Sequence, residues 1–295
     1  MNPQNFSTIS FPAFGIEVNP PRYLELGSLT VYFYGMIIAA GLLLAVTYCC
    51  KRSNKFGLTE DNVLDGLIMV LPIAIICARI YYCIFAWDEF KDNPISVLYI
   101  WNGGIAIYGG VLGAVFGMWL FSKWKKLKLA AVLDLILLGF LIGQSIGRWG
   151  NFMNREAFGA ETQSFFRMGL LNQYTGETIF VHPTFLYESA WNAVGFVILH
   201  FASKKRKYDG QVALWYAAWY GLGRTLIEGL RVDSLYWGPF RVSQCLAALS
   251  CIAAVAVLIY NGLRPHDPAN MWVNQVAAKK AEAELAAEET AESEE

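Results

Sequence analysis

Apolar residues gather into long runs along this chain, and polar residues fall into the gaps between them. A helix crossing a bilayer needs about 20 mostly apolar residues. Seven stretches meet that need: 29–50, 62–86, 104–122, 129–147, 184–202, 211–230 and 241–261. Strict alternation of apolar and polar positions is absent from them, which argues against a β-barrel. The pattern predicts an all-α integral membrane protein of seven transmembrane helices. Residues 1–21 lack a basic stretch followed by an apolar one, so the run starting near Val31 is read as a retained span and not as a signal peptide. The expected organisation is an external N-terminal segment (1–28), a membrane domain (29–263) and an acidic tail (264–295). Within the membrane domain, 148–183 is long and polar enough to form a small external subdomain. Residues 276–295, rich in Ala and Glu, read as a solvated cytoplasmic helix or a disordered end.

Composition agrees with this class. Hydrophobic residues make up 56% of the 295 and charged residues only 16%, against about 45–50% and about 25% in soluble domains. The charges also set a direction. Lys51, Arg52 and Lys55 follow the first span, Lys123, Lys125, Lys126 and Lys128 the third, and Lys204, Lys205, Arg206 and Lys207 the fifth. Loop 87–103 has only Lys91, among Asp88, Glu89 and Asp92. By the positive-inside rule, the N-terminus lies outside and the C-terminus in the cytoplasm. Net charge is −1, with the basic residues in separate short loops, so nucleic acid is not an expected partner. The six cysteines form no CxxC pair, and no histidine stands at zinc-finger spacing, so no metal site is expected.

Small and polar residues inside the spans narrow the chemistry. Gly109, Gly113 and Gly117 share a face of span three, and Gly139, Gly143 and Gly147 a face of span four. Such ladders let helices approach closely in lipid and are expected to bring these two helices together. Charges within a span mark function or a buried pair. Tyr220, Arg224, Glu228 and Arg231 follow one another in steps of four, four and three, on one face of span six. At the end of span four come Arg148, Asn151, Asn154, Arg155, Glu156 and Gly159. A continuing helix would present Arg148 and Asn151 together, whereas Gly150 could instead break the helix. His182, Pro183, Tyr187, Glu188 and Asn192 open span five, with Glu188 and Asn192 on one face. Asn102-Gly103-Gly104 and Tyr108-Gly109-Gly110 lead into span three, and Tyr34-Gly35 lies near the outer end of span one. Arg79 in span two is expected to pair with a carboxylate in the bundle. Guanidinium groups suit phosphate. Arg148, Arg224 and Arg231 near the outer leaflet therefore point to an anionic phospholipid headgroup, with membrane lipid as the partner.

The run Gly147-Arg-Trp-Gly-Asn-Phe-Met-Asn-Arg-Glu156 resembles the GRxGNFxNxE signature of the prolipoprotein diacylglyceryl transferase family. Tyr34-Gly35, Gly109-Gly110, His182-Pro183 with Tyr187-Glu188, and the Tyr220 to Arg231 face follow in family order, over about residues 30–260. The resemblance implies transfer of the diacylglyceryl group of phosphatidylglycerol to the lipobox cysteine of a preprolipoprotein signal peptide. It also implies no cofactor or metal, and a place in the bacterial inner membrane as a multi-pass protein. Arg148 and Arg224 are then expected to clamp phosphate. Tyr34, Asn151, Asn154, Glu156, Gly159, His182, Glu188, Tyr220, Glu228 and Arg231 are expected to contact or frame the substrate. Many family members carry a histidine, a proposed base, where this chain has Tyr108. A tyrosine, with a reference pKa of about 10, is a poor base at neutral pH. Tyr108 then serves as a hydrogen-bond donor, and His182 and Glu156 stand as alternative bases. A transporter would instead show paired broken helices, and an assembly scaffold would not need the arginine faces.

Overall fold

The structure is a computed structural model that describes residues 5–27, 29–232 and 234–294. Helices occupy the seven apolar stretches: α1 (Phe33–Arg52), α2 (Glu60–Phe85), α3 (Ile107–Trp124), α4 (Leu129–Asn154), α5 (Thr184–Ala202), α6 (Gln211–Glu228) and α7 (Val242–Gly262). The tail forms an eighth, α8 (Trp272–Glu294). Among the described residues, four segments are long and apolar enough to cross a membrane: Phe33–Phe56, Glu60–Phe85, Leu129–Asn154 and Val242–Gly262. They leave large side chains such as Leu43, Ile68, Ile84, Leu249 and Ile252 exposed. An apolar surface of that extent belongs in lipid. Helices α3, α5 and α6 are shorter, at 18, 19 and 18 residues, and α5 and α6 carry Glu188, Arg224 and Glu228.

Two boundaries differ from expectation. Helix α4 runs seven residues past 147, through Gly147 and Gly150, to Asn154. The fold is also not purely helical. Strands β1 (Phe6–Phe11), β2 (Ile16–Val18), β5 (Met168–Asn172) and β6 (Thr178–Val181) form an antiparallel sheet in the order β2-β1-β5-β6. Hairpin β3 (Tyr23–Leu26) with β4 (Leu29–Tyr32) takes up the first residues assigned to span one, and β7 (Tyr236–Trp237) pairs with β8 (Phe240–Arg241). The side chain of Asn102 lies outside the described residues, as do residues 1–4 and 28 of the N-terminal segment.

The chain divides into two compact units. The first contains the four-stranded sheet, α1 as far as Tyr48, α4 from Ile136, and α5, α6 and α7. Phe6, Ile9, Met168, Leu170 and Val181 bury one face of the sheet against Phe158 and Phe185, and Phe152 at the end of α4 packs on the same cluster. Arg155 ties the N-terminal segment to that end of α4. It donates to Ser7 O (2.7 Å), Met153 O (2.9 Å), Asn19 Oδ1 (2.7 Å) and Pro20 O (2.8 Å). Burial, and then the charge of Arg22, pull its pKa down to about 10, which leaves it cationic at neutral pH.

The second unit contains α2, α3 and α8. Thr59 and Asn62 close a capping box at the start of α2. Gly109 and Gly113 let α3 lie directly on α2: an added Cβ would stand 2.4 Å from Tyr81 Cβ and 2.5 Å from Cys77 Cβ, respectively. In the first unit, Gly41 of α1 packs beside Gly143 and Ile146 of α4. Each glycine ladder thus serves a neighbour within its own unit. Arg79 departs from its expected carboxylate partner as well. It donates to backbone carbonyls of Ser96 (2.9 Å), Val97 (2.8 Å), Gly103 (2.7 Å) and Gly104 (2.8 Å). Gly103 and Gly104 have φ of 88° and 75°, and a Cβ on Gly104 would stand 2.4 Å from Arg79 Nη1. Only glycine adopts that backbone without strain while leaving room for the guanidinium.

Candidate functional site: an arginine–carboxylate cluster

The cluster follows from helical periodicity. Arg224 and Glu228 lie one turn apart on α6, and Arg231 follows just past its end. Glu188 lies on the second turn of α5. The uninterrupted α4 brings Arg148 and Asn151 to one face, which settles the choice that Gly150 left open. Gly150 is small for a different reason: a Cβ there would stand 2.8 Å from the ring of Tyr34.

Glu188 is the centre. Its Oε2 lies 2.5 Å from Arg148 Nη2 and 3.2 Å from Arg224 Nη1. Its Oε1 lies 3.2 Å from Arg231 Nη1. Glu228 Oε2 lies 2.7 Å from Arg224 Nη2 and 3.8 Å from Arg231 Nε. Glu188 and Glu228 are only 4% and 2% exposed, so both carboxylates are withdrawn from water and depend on these cations. One carboxylate shared by three guanidiniums does not neutralise each of them one-to-one. A chain of hydrogen bonds continues outward: Arg148 Nη1 donates to Asn151 Oδ1 (3.2 Å), and Asn151 Nδ2 and Asn154 Nδ2 donate to Glu156 Oε1 (2.9 and 3.3 Å).

The remaining expected residues take varied places. Tyr220 lines a small pocket with Glu188 and Arg224 and stacks on Tyr216. Tyr34 packs on Gly150. Gly159 is buried, with its N–H donating to His182 O (2.9 Å). A Cβ there would stand 2.7 Å from His182 Cβ and 2.9 Å from Leu230 O, so close packing requires its glycine. The His182 ring faces the Tyr187 hydroxyl at 3.4 Å, and its backbone N–H donates to Ala160 O. Tyr108, on the first turn of α3, belongs to the second unit.

Several supporting residues escaped the sequence reading. Ser145 and Ser189 link α4 to α5: each hydroxyl donates to the other residue's carbonyl (2.9 and 2.8 Å), and Trp149 Nε1 donates to Ser189 Oγ (3.1 Å). Trp191 and Trp219 donate to each other's carbonyls, both at 3.0 Å, with rings stacked 4.5 Å apart. Each indole sits where the opposite helix has a glycine, Gly223 or Gly195. Arg241 donates to the Glu228 carbonyl. The i,i+4 spacing of Trp191 with Gly195 and of Trp219 with Gly223 was a readable signal. The serine link was not, since neither serine stands out in an apolar run.

Helices long and apolar enough to cross a membrane, together with a buried carboxylate shared by three arginines, define a helical membrane protein with a buried ionic centre. The chain belongs to the prolipoprotein diacylglyceryl transferase family, whose model matches residues 21–260. It is 42% identical over 274 residues to a protein of Listeria welshimeri, covering 90% of this chain and 99% of that one. It is 40% identical to proteins of Lysinibacillus sphaericus (84% and 94% covered) and Ligilactobacillus salivarius (86% and 97% covered). All three relatives are named phosphatidylglycerol–prolipoprotein diacylglyceryl transferase.

Proposed function

We infer that this chain is a transferase of lipoprotein maturation, moving the diacylglyceryl group of phosphatidylglycerol onto a prolipoprotein. In the finer form of this reading, the acceptor is the lipobox cysteine of a signal peptide. Its thiolate attacks the glyceryl carbon bonded to phosphate. The C–O bond breaks as the C–S bond forms, glycerol 1-phosphate leaves with the electron pair, and a thioether remains. The nucleophile belongs to the substrate, so the enzyme's task is to ionise a thiol of ordinary pKa about 8.5 and to hold a phosphate as it gains charge.

One observation carries the assignment of roles: Glu188 is shared by Arg148, Arg224 and Arg231. Two carboxylates, Glu188 and Glu228, face three guanidiniums, so the phosphodiester of an arriving lipid, and the phosphate monoester that leaves, meets a positive charge in excess. Arg148 and Arg224 are the phosphate clamp, and Glu188 and Glu228 aim them. Asn151 offers its amide to a phosphate or glycerol oxygen, and Tyr34 and Tyr220 contact the headgroup. Glu156, tied to Asn151 and Asn154, and His182, beside Tyr187, are the alternative bases. Tyr108 is a hydrogen-bond donor to the lipid.

The same reading takes α1–α7 as seven spans of a bacterial inner-membrane protein, with the N-terminus and the four-stranded sheet outside and α8 in the cytoplasm. Shorter and more polar α5 and α6 suit helices whose inner faces line a polar site. Purified protein incubated with labelled phosphatidylglycerol and a lipobox peptide should yield a thioether-linked diacylglyceryl peptide. Failure to form it would remove the activity. Impermeant thiol labelling of single cysteines placed in the β1–β2 turn and in α8 should modify the first from outside and the second only after permeabilisation.

A further inference from the structure

Asn192 lies one helical turn from Glu188 on α5 and is 3% exposed. Its Oδ1 is buried without a hydrogen-bond partner among the described residues. Buried polar atoms are almost always paired, and an orphan calls for a cause. Asn192 lines the small pocket that also contains Tyr220, Gly223 and Arg224. The indole and guanidinium donors around it are already engaged: the Trp191 and Trp219 indoles hold each other's carbonyls, and Arg224 holds Glu188 and Glu228. That clasp fixes the pocket wall, because a Cβ on Gly223 would stand 2.2 Å from Trp191 Nε1. The free acceptor therefore sits in a rigid wall beside an arginine.

We propose that Asn192 is a specificity residue that reads a hydroxyl on the lipid headgroup. The inference rests on the transferase reading above. A carbonyl oxygen accepts, so the group it seeks is a donor. An arginine beside it seeks an anion. One ligand chemistry joins the two: a phosphate ester of a polyol, with phosphate on Arg224 and a headgroup hydroxyl donating to Asn192 Oδ1, with Tyr220 beside it. A site built to pair a hydroxyl rejects the analogue lacking it, because the buried acceptor is then left unsatisfied.

The test compares phosphatidylglycerol with phosphatidylpropanol, which keeps the phosphate ester and loses the headgroup hydroxyls, for the wild type, Asn192→Leu and Asn192→Ala, each with the same lipobox peptide. The wild type should favour phosphatidylglycerol in kcat/KM by about tenfold or more, the worth of one such hydrogen bond. In both variants that ratio should collapse toward one, chiefly through loss with phosphatidylglycerol. Asn192→Leu fills the space and removes the orphan, while Asn192→Ala empties it, so a packing effect would separate the two where a lost hydroxyl reader moves both alike. A ratio unchanged in either folded variant, or absent in the wild type, overturns the proposal while leaving the transferase reading intact. A wild type that makes no thioether from phosphatidylglycerol overturns both.

Discussion

The two units each bury arginine among apolar helices and satisfy it in opposite ways. Arg79 is held by main-chain carbonyls of the 96–104 segment and lies over the Phe90 ring at 5.0 Å. Arg148, Arg224 and Arg231 are held by side-chain carboxylates, chiefly one, Glu188. A carbonyl cage has acceptors fixed by the backbone and no charge to exchange, so it secures a loop. A shared carboxylate can be partly replaced by another anion, so it leaves a site able to bind one. Burial of an arginine therefore does not mark function by itself; the nature of its acceptors does.

The strongest way to break this contrast is a crossed pair of lysine substitutions. Arg224→Lys removes the planar fork and should lower transfer by about 100-fold or more, while the protein inserts and melts close to the wild type. Arg224→Ala should abolish transfer. Arg79→Lys should do the reverse: an ammonium cannot reach four carbonyls in one plane, so stability should fall by about 3 kcal/mol, with the kcat of the folded fraction changed by only a few-fold. Transfer assays paired with thermal unfolding in detergent separate the two. Normal transfer by folded Arg224→Ala would remove the clamp. Next in size is Glu188→Gln, which leaves three guanidiniums around a neutral amide. Breaking a buried ion pair costs about 3–5 kcal/mol, and transfer should fall with it. A variant as stable as the wild type would mean that Glu188 is not the centre.

The face formed by Tyr220, Arg224, Glu228 and Arg231 was readable because helical periodicity is local: steps of four and three place those side chains together whatever surrounds them. Helix α5 at 184–202 was readable because the length of an apolar run is a local property too. What joins distant parts was not. Strand β1 pairs with β5 some 160 residues on, with a register shift between Phe6 and Ile9, and such short strands leave no long alternating run. Arg79 carries no sequence mark distinguishing a carboxylate partner from a carbonyl cage, since the cage depends on Gly103 and Gly104 both adopting positive φ. Arg155 sits inside the family signature, yet its partners lie in the N-terminal segment, so its structural role emerged only with the fold.

A smaller effect is expected at Tyr108, on the first turn of the helix that follows the Arg79 cage. If its hydroxyl donates to the lipid, Tyr108→Phe should lower kcat/KM by about tenfold, one hydrogen bond's worth, without altering the melting temperature. Tyr108→His restores a group that titrates near neutrality and should give a pH profile with an added inflection. Full activity in the phenylalanine variant would show that the hydroxyl is dispensable.

The smallest effects sharpen the contrast at the glycine ladders. Gly113 of α3 and Gly143 of α4 look alike in sequence, each the middle of three glycines spaced by four. Their surroundings differ. An added Cβ at Gly113 would stand 2.5 Å from Cys77 Cβ and 3.0 Å from Ala74 Cα, whereas at Gly143 nothing lies within 4 Å. Gly113→Ala must push α3 off α2 or shift the backbone, at a cost of about 1–3 kcal/mol. Gly143→Ala adds a methyl group to open space and should change stability by no more than about 0.5 kcal/mol. Equal destabilisation of the two would mean that the Cβ direction of Gly143 is closed by a neighbour, as that of Gly147 is by Ile38.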